Sequence, residues 1–136
     1  MDFCSIAGSI QGFLCSKQIL FVGMGIVGVG FLVAWHELGH FLFAKLFGVR
    51  VPTFSIGMGP KIFRHQIGET EFSLSAIPMG GYVEIAYYPE ETPSNTPLPD
   101  ASRYFVNKPY WQKILVLSGG IAFNLIFAYA AFIALN

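Results

Sequence analysis

Two long apolar stretches dominate the pattern of hydrophobic and polar positions along the chain. Residues 18–35 contain no charged side chain, and the apolar character continues to Phe47. Gly48 follows, a residue type common just after a helix ends. Residues 114–135 form a second uncharged stretch. Each is long enough to cross the hydrocarbon core of a bilayer as an α-helix, so the pattern predicts two transmembrane helices.

The period of the pattern changes between these helices. In FSLSAI, the apolar residues Phe72, Leu74 and Ala76 alternate with the polar Ser73 and Ser75, which is typical of a β-strand. The preceding KIFRHQIGETEF favours two short strands around a turn near Gly68. Four prolines in residues 87–102 then indicate an irregular connector.

The predicted fold class is therefore an α-helical membrane protein. Two core transmembrane helices are joined by a cytoplasmic-side, membrane-associated β-hairpin loop. The segments are an N-terminal extracytoplasmic or interfacial part (1–17), the first transmembrane helix (18–47), the β-loop (48–86), the connector (87–110) and the second transmembrane helix (111–136). A cleaved signal peptide is the alternative for the first stretch, but its apolar region would be shorter, and no small-x-small cleavage site precedes His36.

Composition and charge support a membrane protein. The chain is 54% hydrophobic and 12% charged, against about 25% charged in soluble domains. The formal net charge is zero, so nothing indicates nucleic acid. Cys4 and Cys15 are free thiols or a single pair, not a disulfide framework. Seven of the eight basic residues lie between the helices or at the helix ends nearest the loop: Lys45, Arg50, Lys61, Arg64, Arg103, Lys108 and Lys113. The positive-inside rule then predicts a cytoplasmic loop and extracytoplasmic termini.

The motif HELGH, residues 36–40, lies near the end of the first apolar stretch. On a helix, residues four apart share a face, so His36 and His40 can bind one metal ion. Glu37 can reach a water on that metal as general base, and Zn²⁺ lowers the pKa of such a water to about 7. HExxH also occurs by chance in soluble helices, but ionisable residues at membrane depth are costly, which favours a functional metal site.

A polar residue of the second helix is expected at a similar depth. His36 precedes Gly48 by about 18 Å of helix, and Asn124 follows Lys113 by about 16 Å. Asn124 shares its face of the second helix with three small residues: Gly120, Ala128 and Ala131. Asn124 either supports the active site or bonds a backbone carbonyl in ordinary small-residue helix packing.

Four ordered blocks extend the motif. They are HELGHFLFAKLFGVRV (36–51), FSIGMGP (54–60), IPMGGYV (77–83) and FVNKPYWQKILVLSGGIAFN (105–124). With them the sequence resembles the site-2 protease family of intramembrane zinc metalloproteases, and within it the bacterial branch that includes the regulator-of-sigma-E protease. Gly119-Gly120 stands where this family usually has Gly-Pro, which removes a helix kink.

The resemblance implies Zn²⁺ as cofactor, His36 and His40 as ligands and Glu37 as catalytic base. It implies that the β-loop presents substrate and that Asn124 is the asparagine of the Gly-xxx-Asn stretch starting at Gly120. Three loop residues would lie near the substrate path, or simply form a tight turn that needs glycine: Gly80, Gly81 and Tyr82. The bacterial inner membrane and single-span membrane substrates, such as anti-sigma factors or remnant signal peptides, are also implied.

One expected element of the family is missing from the sequence. Its third zinc ligand is an aspartate of a Leu-Asp-Gly motif on a later membrane helix, and its branch usually carries periplasmic PDZ modules. The other candidate ligands, none with a supporting spacing, are His65, Glu69, Glu71, Glu84, Glu90, Glu91 and Asp100. We therefore expect the N-terminal portion of a longer protease, or a partner chain that supplies the aspartate.

Two other functions fit parts of the sequence. A non-catalytic pseudo-protease or regulatory subunit agrees with the missing ligand, although an intact Glu37 argues against it. A membrane-anchored zinc protease acting on soluble substrates would need the HExxH helix to lie outside the bilayer, where Leu38 would be open to water-soluble reagents.

Overall fold

The computed structural model describes residues 17–88 and 100–136. Cys4, Cys15 and the rest of residues 1–16 lie outside the described residues, as do residues 89–99 of the predicted connector. The main elements, in chain order, are α1 (Lys17–Leu46), β1 (Thr53–Ile67), β2 (Thr70–Glu84) and α2 (Tyr110–Leu135). Two single 3₁₀ turns, Ala101–Arg103 and Phe105–Asn107, precede α2. The prediction of two long apolar helices with a β-hairpin between them is confirmed.

Helix α1 ends in a glycine cap. Gly48 has φ +67°, a conformation that a residue with a Cβ adopts at a cost. This turn lets the Val49 N–H donate to the Ala44 carbonyl at 2.8 Å and the Gly48 N–H donate to Lys45 at 3.0 Å. The last carbonyls of α1 are thereby satisfied. By length and composition, Ile19–Leu46 and Tyr110–Leu135 are both long and apolar enough to cross a membrane.

The two strands form one antiparallel hairpin that folds back on itself. Around the turn at Gly68, Ile67 pairs with Thr70. Farther along, the first part of β1 has neighbours on both sides, because Thr53 is paired with Glu71 and also with Glu84. The final stretch of β2 therefore forms an edge of the sheet. This folding-back is a non-local pairing that the alternation of residues does not predict.

The burial of β2 differs from a simple inward apolar face. Ser73 and Ser75 are buried, each 6% exposed, while Leu74 and Ile77 are about half exposed. The Ser75 hydroxyl lies 3.3 Å from the hydroxyl of the buried Ser55. On the polar side of the strand Ser73 and Ser75 are thus buried, whereas on its apolar side Phe72 packs on Phe41 and Phe54 but Leu74 is exposed.

A small core joins the loop end of the helices to the hairpin. It consists of the buried residues Ala44, Val49, Val51, Phe105 and Val116. The Thr70 hydroxyl donates to the Val51 carbonyl at 2.7 Å, which ties β2 to the segment after α1.

An ion-pair network lies beside this core. The Glu69 carboxylate accepts hydrogen bonds from Lys45 and Arg103, each at 2.7 Å. Partial burial acts to raise the pKa of Glu69, but the hydrogen bonds from the two cations outweigh it and lower that pKa. One carboxylate thus connects the hairpin turn, the end of α1 and the segment before α2.

Candidate metal centre

The two histidines of HELGH converge on one point between the helices. His36 and His40 are part-buried on α1, and their Nε2 atoms lie 3.2 Å apart. The rings meet edge to face, with centroids 4.9 Å apart. Imidazole nitrogens that approach in this way can share a single tetrahedral metal ion.

A backbone carbonyl of α2 fixes the tautomer of His40. Its Nδ1 lies 2.7 Å from the carbonyl oxygen of Val116. Because a carbonyl can only accept, Nδ1 carries the proton, and Nε2 of the neutral ring keeps its lone pair. Hydrogen bonds of this kind orient histidines that bind metals.

Helix α2 also supplies the surroundings of His36. The Asn124 amide nitrogen lies 3.0 Å from His36 Nδ1, while the amide oxygen Oδ1 is buried without a hydrogen-bond partner in the part of the chain that the structure describes. A methyl group on Gly120 would lie only 2.6 Å from two carbon atoms of the His36 ring. The imidazole therefore packs directly on the glycine backbone, and Gly120 and Asn124, both predicted from the sequence, are brought to it.

The helices approach closely at a glycine pair. A methyl on Gly39 would lie 2.6 Å from the Gly119 carbonyl carbon, and one on Gly119 would lie 2.7 Å from the Gly39 oxygen. Small residues permit this backbone contact. Since Gly39 is inside HELGH, the crossing point of the helices coincides with the histidine pair.

The edge of the hairpin reaches the general-base candidate. A methyl on Gly81 would lie 3.5 Å from Glu37 Cγ. Gly80 has φ +84° and faces the Met58 side chain, and Tyr82 is 41% exposed. Of the three predicted loop residues, Gly81 is therefore the one placed beside HELGH. Farther along the edge, the Pro78 carbonyl packs on Gly30 of α1.

The sequence did not indicate two of the groups around the site. Trp35 donates its indole N–H to the Phe123 carbonyl at 2.8 Å and packs on the ring of Phe127. An indole in an apolar helix needs an acceptor, which could have been read as a signal. The Val116 carbonyl has no signal in the sequence, because any residue type supplies one.

The remaining ligand candidates do not join the histidines. Among residues 17–88 and 100–136, no group of three His, Cys, Asp or Glu side chains is placed to hold a metal ion. Glu69 is in its ion-pair network, and Glu71 is paired with Lys61. Glu90 and Glu91 lie outside the described residues.

The two histidines nevertheless fit zinc. Their Nε2 atoms converge, His40 is held in the required tautomer, and an unpaired buried acceptor, Asn124 Oδ1, lies next to the other side of His36. Catalytic zinc sites usually take three protein ligands, so the described residues account for two of them.

A helix that presents HExxH toward a second helix, with a sheet edge beside the glutamate, defines a site of the metallopeptidase class. The chain belongs to peptidase family M50, whose sequence model matches residues 24–136. This agrees with the resemblance found in the motifs.

Curated relatives carry matching names. A protein of Synechocystis named "Putative zinc metalloprotease" is 41% identical over 78% of this chain and 28% of its own length. Proteins of the same name from Helicobacter pylori and Clostridium perfringens are each 38% identical, over 77% and 85% of this chain and 30% and 32% of their own lengths. The chain thus spans roughly a third or less of the length of these relatives.

Proposed function

We propose that this chain forms the HExxH-bearing part of an intramembrane zinc metalloprotease of the site-2 type. The observation that carries the proposal is the convergence of His36 and His40 at a helix crossing, with Glu37 beside the edge of the hairpin. Membership of peptidase family M50 supports a peptidase.

Different residues would carry out metal binding and proton transfer during peptide hydrolysis. His36 and His40 would hold Zn²⁺, which when bound acidifies a coordinated water and polarises a carbonyl. Glu37 would accept the proton of the attacking water and deliver it to the leaving amine. The remaining protein ligand would come from outside the described residues. An aspartate from another part of the polypeptide, or from a second chain, is the ligand we expect.

The substrate would be a single-span membrane protein, for example an anti-sigma factor or a remnant signal peptide. A helical segment hides its amides in internal hydrogen bonds and must be extended before cleavage. The edge of the sheet that the end of β2 forms near Gly81 would hold such a segment by strand addition. If α1 spans the membrane, His36 would lie about 18 Å from Gly48 along the helix, which would suit a scissile bond in or near the bilayer.

The environment we propose is the bacterial inner membrane, with the hairpin on its cytoplasmic side. Most large apolar side chains of α1 and α2 are exposed within the chain, and lipid would cover them. The exposed apolar side chains of β2, including Leu74 and Ile77, would contact the bilayer as well. Tyr110 and Trp111, both exposed at the start of α2, suit a membrane interface.

The test is cleavage of a single-span reporter in membranes that hold the polypeptide as the cell makes it. Glu37→Gln should abolish cleavage, a loss of at least 100-fold, because the amide cannot take a proton. Asp100→Asn, at an exposed position outside the hairpin, is the matched control and should cleave normally. Equal cleavage by wild type and Glu37→Gln would overturn the proposal.

One observation favours the alternative of a non-catalytic pseudo-protease or regulatory subunit. The described residues contain no third metal ligand. A wild-type polypeptide that binds zinc through His36 and His40 but cleaves no reporter in any membrane would support this alternative.

A further inference from the structure

Polar atoms of both helices form a chain of hydrogen bonds through the histidine pair. Asn124 Nδ2 faces His36 Nδ1 at 3.0 Å, the two histidine Nε2 atoms are 3.2 Å apart, and His40 Nδ1 faces the Val116 carbonyl at 2.7 Å. The amide nitrogen can only donate, so His36 Nδ1 accepts. The proton of the neutral His36 ring is then on Nε2, where it can be donated to His40.

This proton position conflicts with metal binding at Nε2. A neutral histidine that binds zinc through Nε2 carries its proton on Nδ1, and that N–H requires an acceptor. An amide NH₂ group at the same place would oppose one donor with another. His40 avoids the conflict because Val116 offers it a carbonyl, whereas His36 has a side-chain amide.

The acceptor that His36 needs is already present on Asn124. Oδ1 is buried and has no hydrogen-bond partner among the described residues, so none of them competes with His36 for this oxygen. A half-turn of the amide about its last side-chain bond exchanges the oxygen and the nitrogen. Asn124 also lines an open cleft with Val29, Leu32 and Val33, which leaves space beside the amide.

We propose that Asn124 is a positioning residue that selects the zinc-binding tautomer of His36. Its amide turns so that Oδ1 accepts the Nδ1–H of His36, which leaves the Nε2 lone pair for the metal. The inference rests on the proposed zinc site, but it concerns whether Oδ1 or Nδ2 of the Asn124 amide bonds His36 Nδ1. It therefore predicts something that zinc binding alone does not.

The test measures the zinc dissociation constant of the purified polypeptide with a competing chelator. Asn124→Asp keeps an oxygen acceptor and removes the amide donor, whereas Asn124→Leu removes both. We expect Asn124→Asp to bind zinc as tightly as wild type or more tightly. Asn124→Leu should bind roughly 10- to 100-fold more weakly, the usual cost of losing such a partner. If the amide instead acts as a donor, Asn124→Asp weakens binding as much as Asn124→Leu, and the inference fails.

Matched controls use a second asparagine on the same helix. Asn136 directly follows the last residue of α2, and its side chain donates to the Phe132 carbonyl at 2.9 Å. Asn136→Asp and Asn136→Leu should leave zinc affinity unchanged. A general effect of charge or of apolar substitution would appear in these variants too, and would overturn the assignment to the amide.

A spectroscopic measurement tests the tautomer even if Asn124→Leu does not fold. ¹⁵N-labelled histidine should report a proton on Nδ1 of His36 in the zinc-free Asn124→Asp variant, because the carboxylate can only accept. A His36 that is still protonated on Nε2 in this variant would overturn the inference. Failure of the proposed function looks different, because zinc binding would then be insensitive to His36→Ala in the first place.

Discussion

Gly120 determines how close the His36 ring lies to α2. A methyl group there would overlap the imidazole, coming within 2.6 Å of its Cδ2 and Cε1 atoms. Gly120→Ala should therefore push the ring aside and weaken zinc binding by at least tenfold while the helices remain. Chelator competition measures the affinity, and circular dichroism measures the helix content.

The same substitution elsewhere on the helices gives the control. An added methyl on Gly28 of α1 would meet no atom of residues 17–88 or 100–136 within 4 Å. Gly28→Ala should leave zinc affinity unchanged, since alanine also favours a helix. If both variants lose affinity equally, the effect does not come from contact with His36.

Around the histidine pair, the sequence predicted the polar side chains better than the backbone carbonyls that bond them. The spacing within HELGH and the matched depth of Asn124 anticipated residues that the structure brings together. The partner of His40 could not be predicted, because the Val116 carbonyl reaches it only through the packing of two helices. The same packing supplies the acceptor for the Trp35 indole.

The helix crossing is the element that places both histidines. Gly39→Ala would insert a methyl 2.6 Å from the Gly119 carbonyl carbon, so α1 and α2 must separate. Overpacking of this kind typically costs about 1–3 kcal/mol. We expect a lower midpoint of thermal unfolding in detergent micelles. Gly25→Ala, which meets nothing within 4 Å, should unfold like wild type, and equal losses would contradict a specific crossing.

The hairpin is attached to the helices by an acid-sensitive contact. Hydrogen bonds from Lys45 and Arg103 hold the pKa of Glu69 below its ordinary value of 4.5. A lowered pKa means that this stabilisation is complete well above pH 4.5 and is lost as the pH falls through the folded-state pKa. With part-exposed partners, the contribution is about 0.5–1 kcal/mol.

Thermal unfolding from pH 7 to pH 3 measures this contribution. Glu69→Gln should be less stable than wild type at pH 7 and should lose the difference in acid, where the curves meet. A constant difference at every pH would show that the Glu69 charge is not responsible.

For this element the sequence predicted the turn but not the architecture. Gly68 lies at the turn between the strands, as expected from KIFRHQIGETEF. The second pairing of Thr53, with Glu84 as well as Glu71, depends on contacts between distant parts of the chain. The burial of Ser73 and Ser75 beside an exposed Leu74 is the reverse of the usual rule that apolar side chains are the buried ones.

For the molecule as a whole, the uneven distribution of basic residues is the feature that predicts its orientation in a membrane. Seven of the eight basic residues lie in or next to the region between the helices, whereas α1 and α2 are almost free of charge. Two apolar helices alone would not define an orientation. The family and the composition favour a membrane, and the charges then predict that the region between the helices faces the cytoplasm.

Two exposed serines allow a direct test of this orientation. Ser102 is exposed in the 3₁₀ turn Ala101–Arg103, and Ser118 is an exposed residue within α2. In a background without Cys4 and Cys15, Ser102→Cys should react with a membrane-impermeant maleimide in inside-out vesicles but not in intact cells. Ser118→Cys should react in neither until detergent is added, because lipid would cover it. Labelling of Ser102→Cys from the outside would invert the topology, and ready labelling of Ser118→Cys in both preparations would remove α2 from the bilayer.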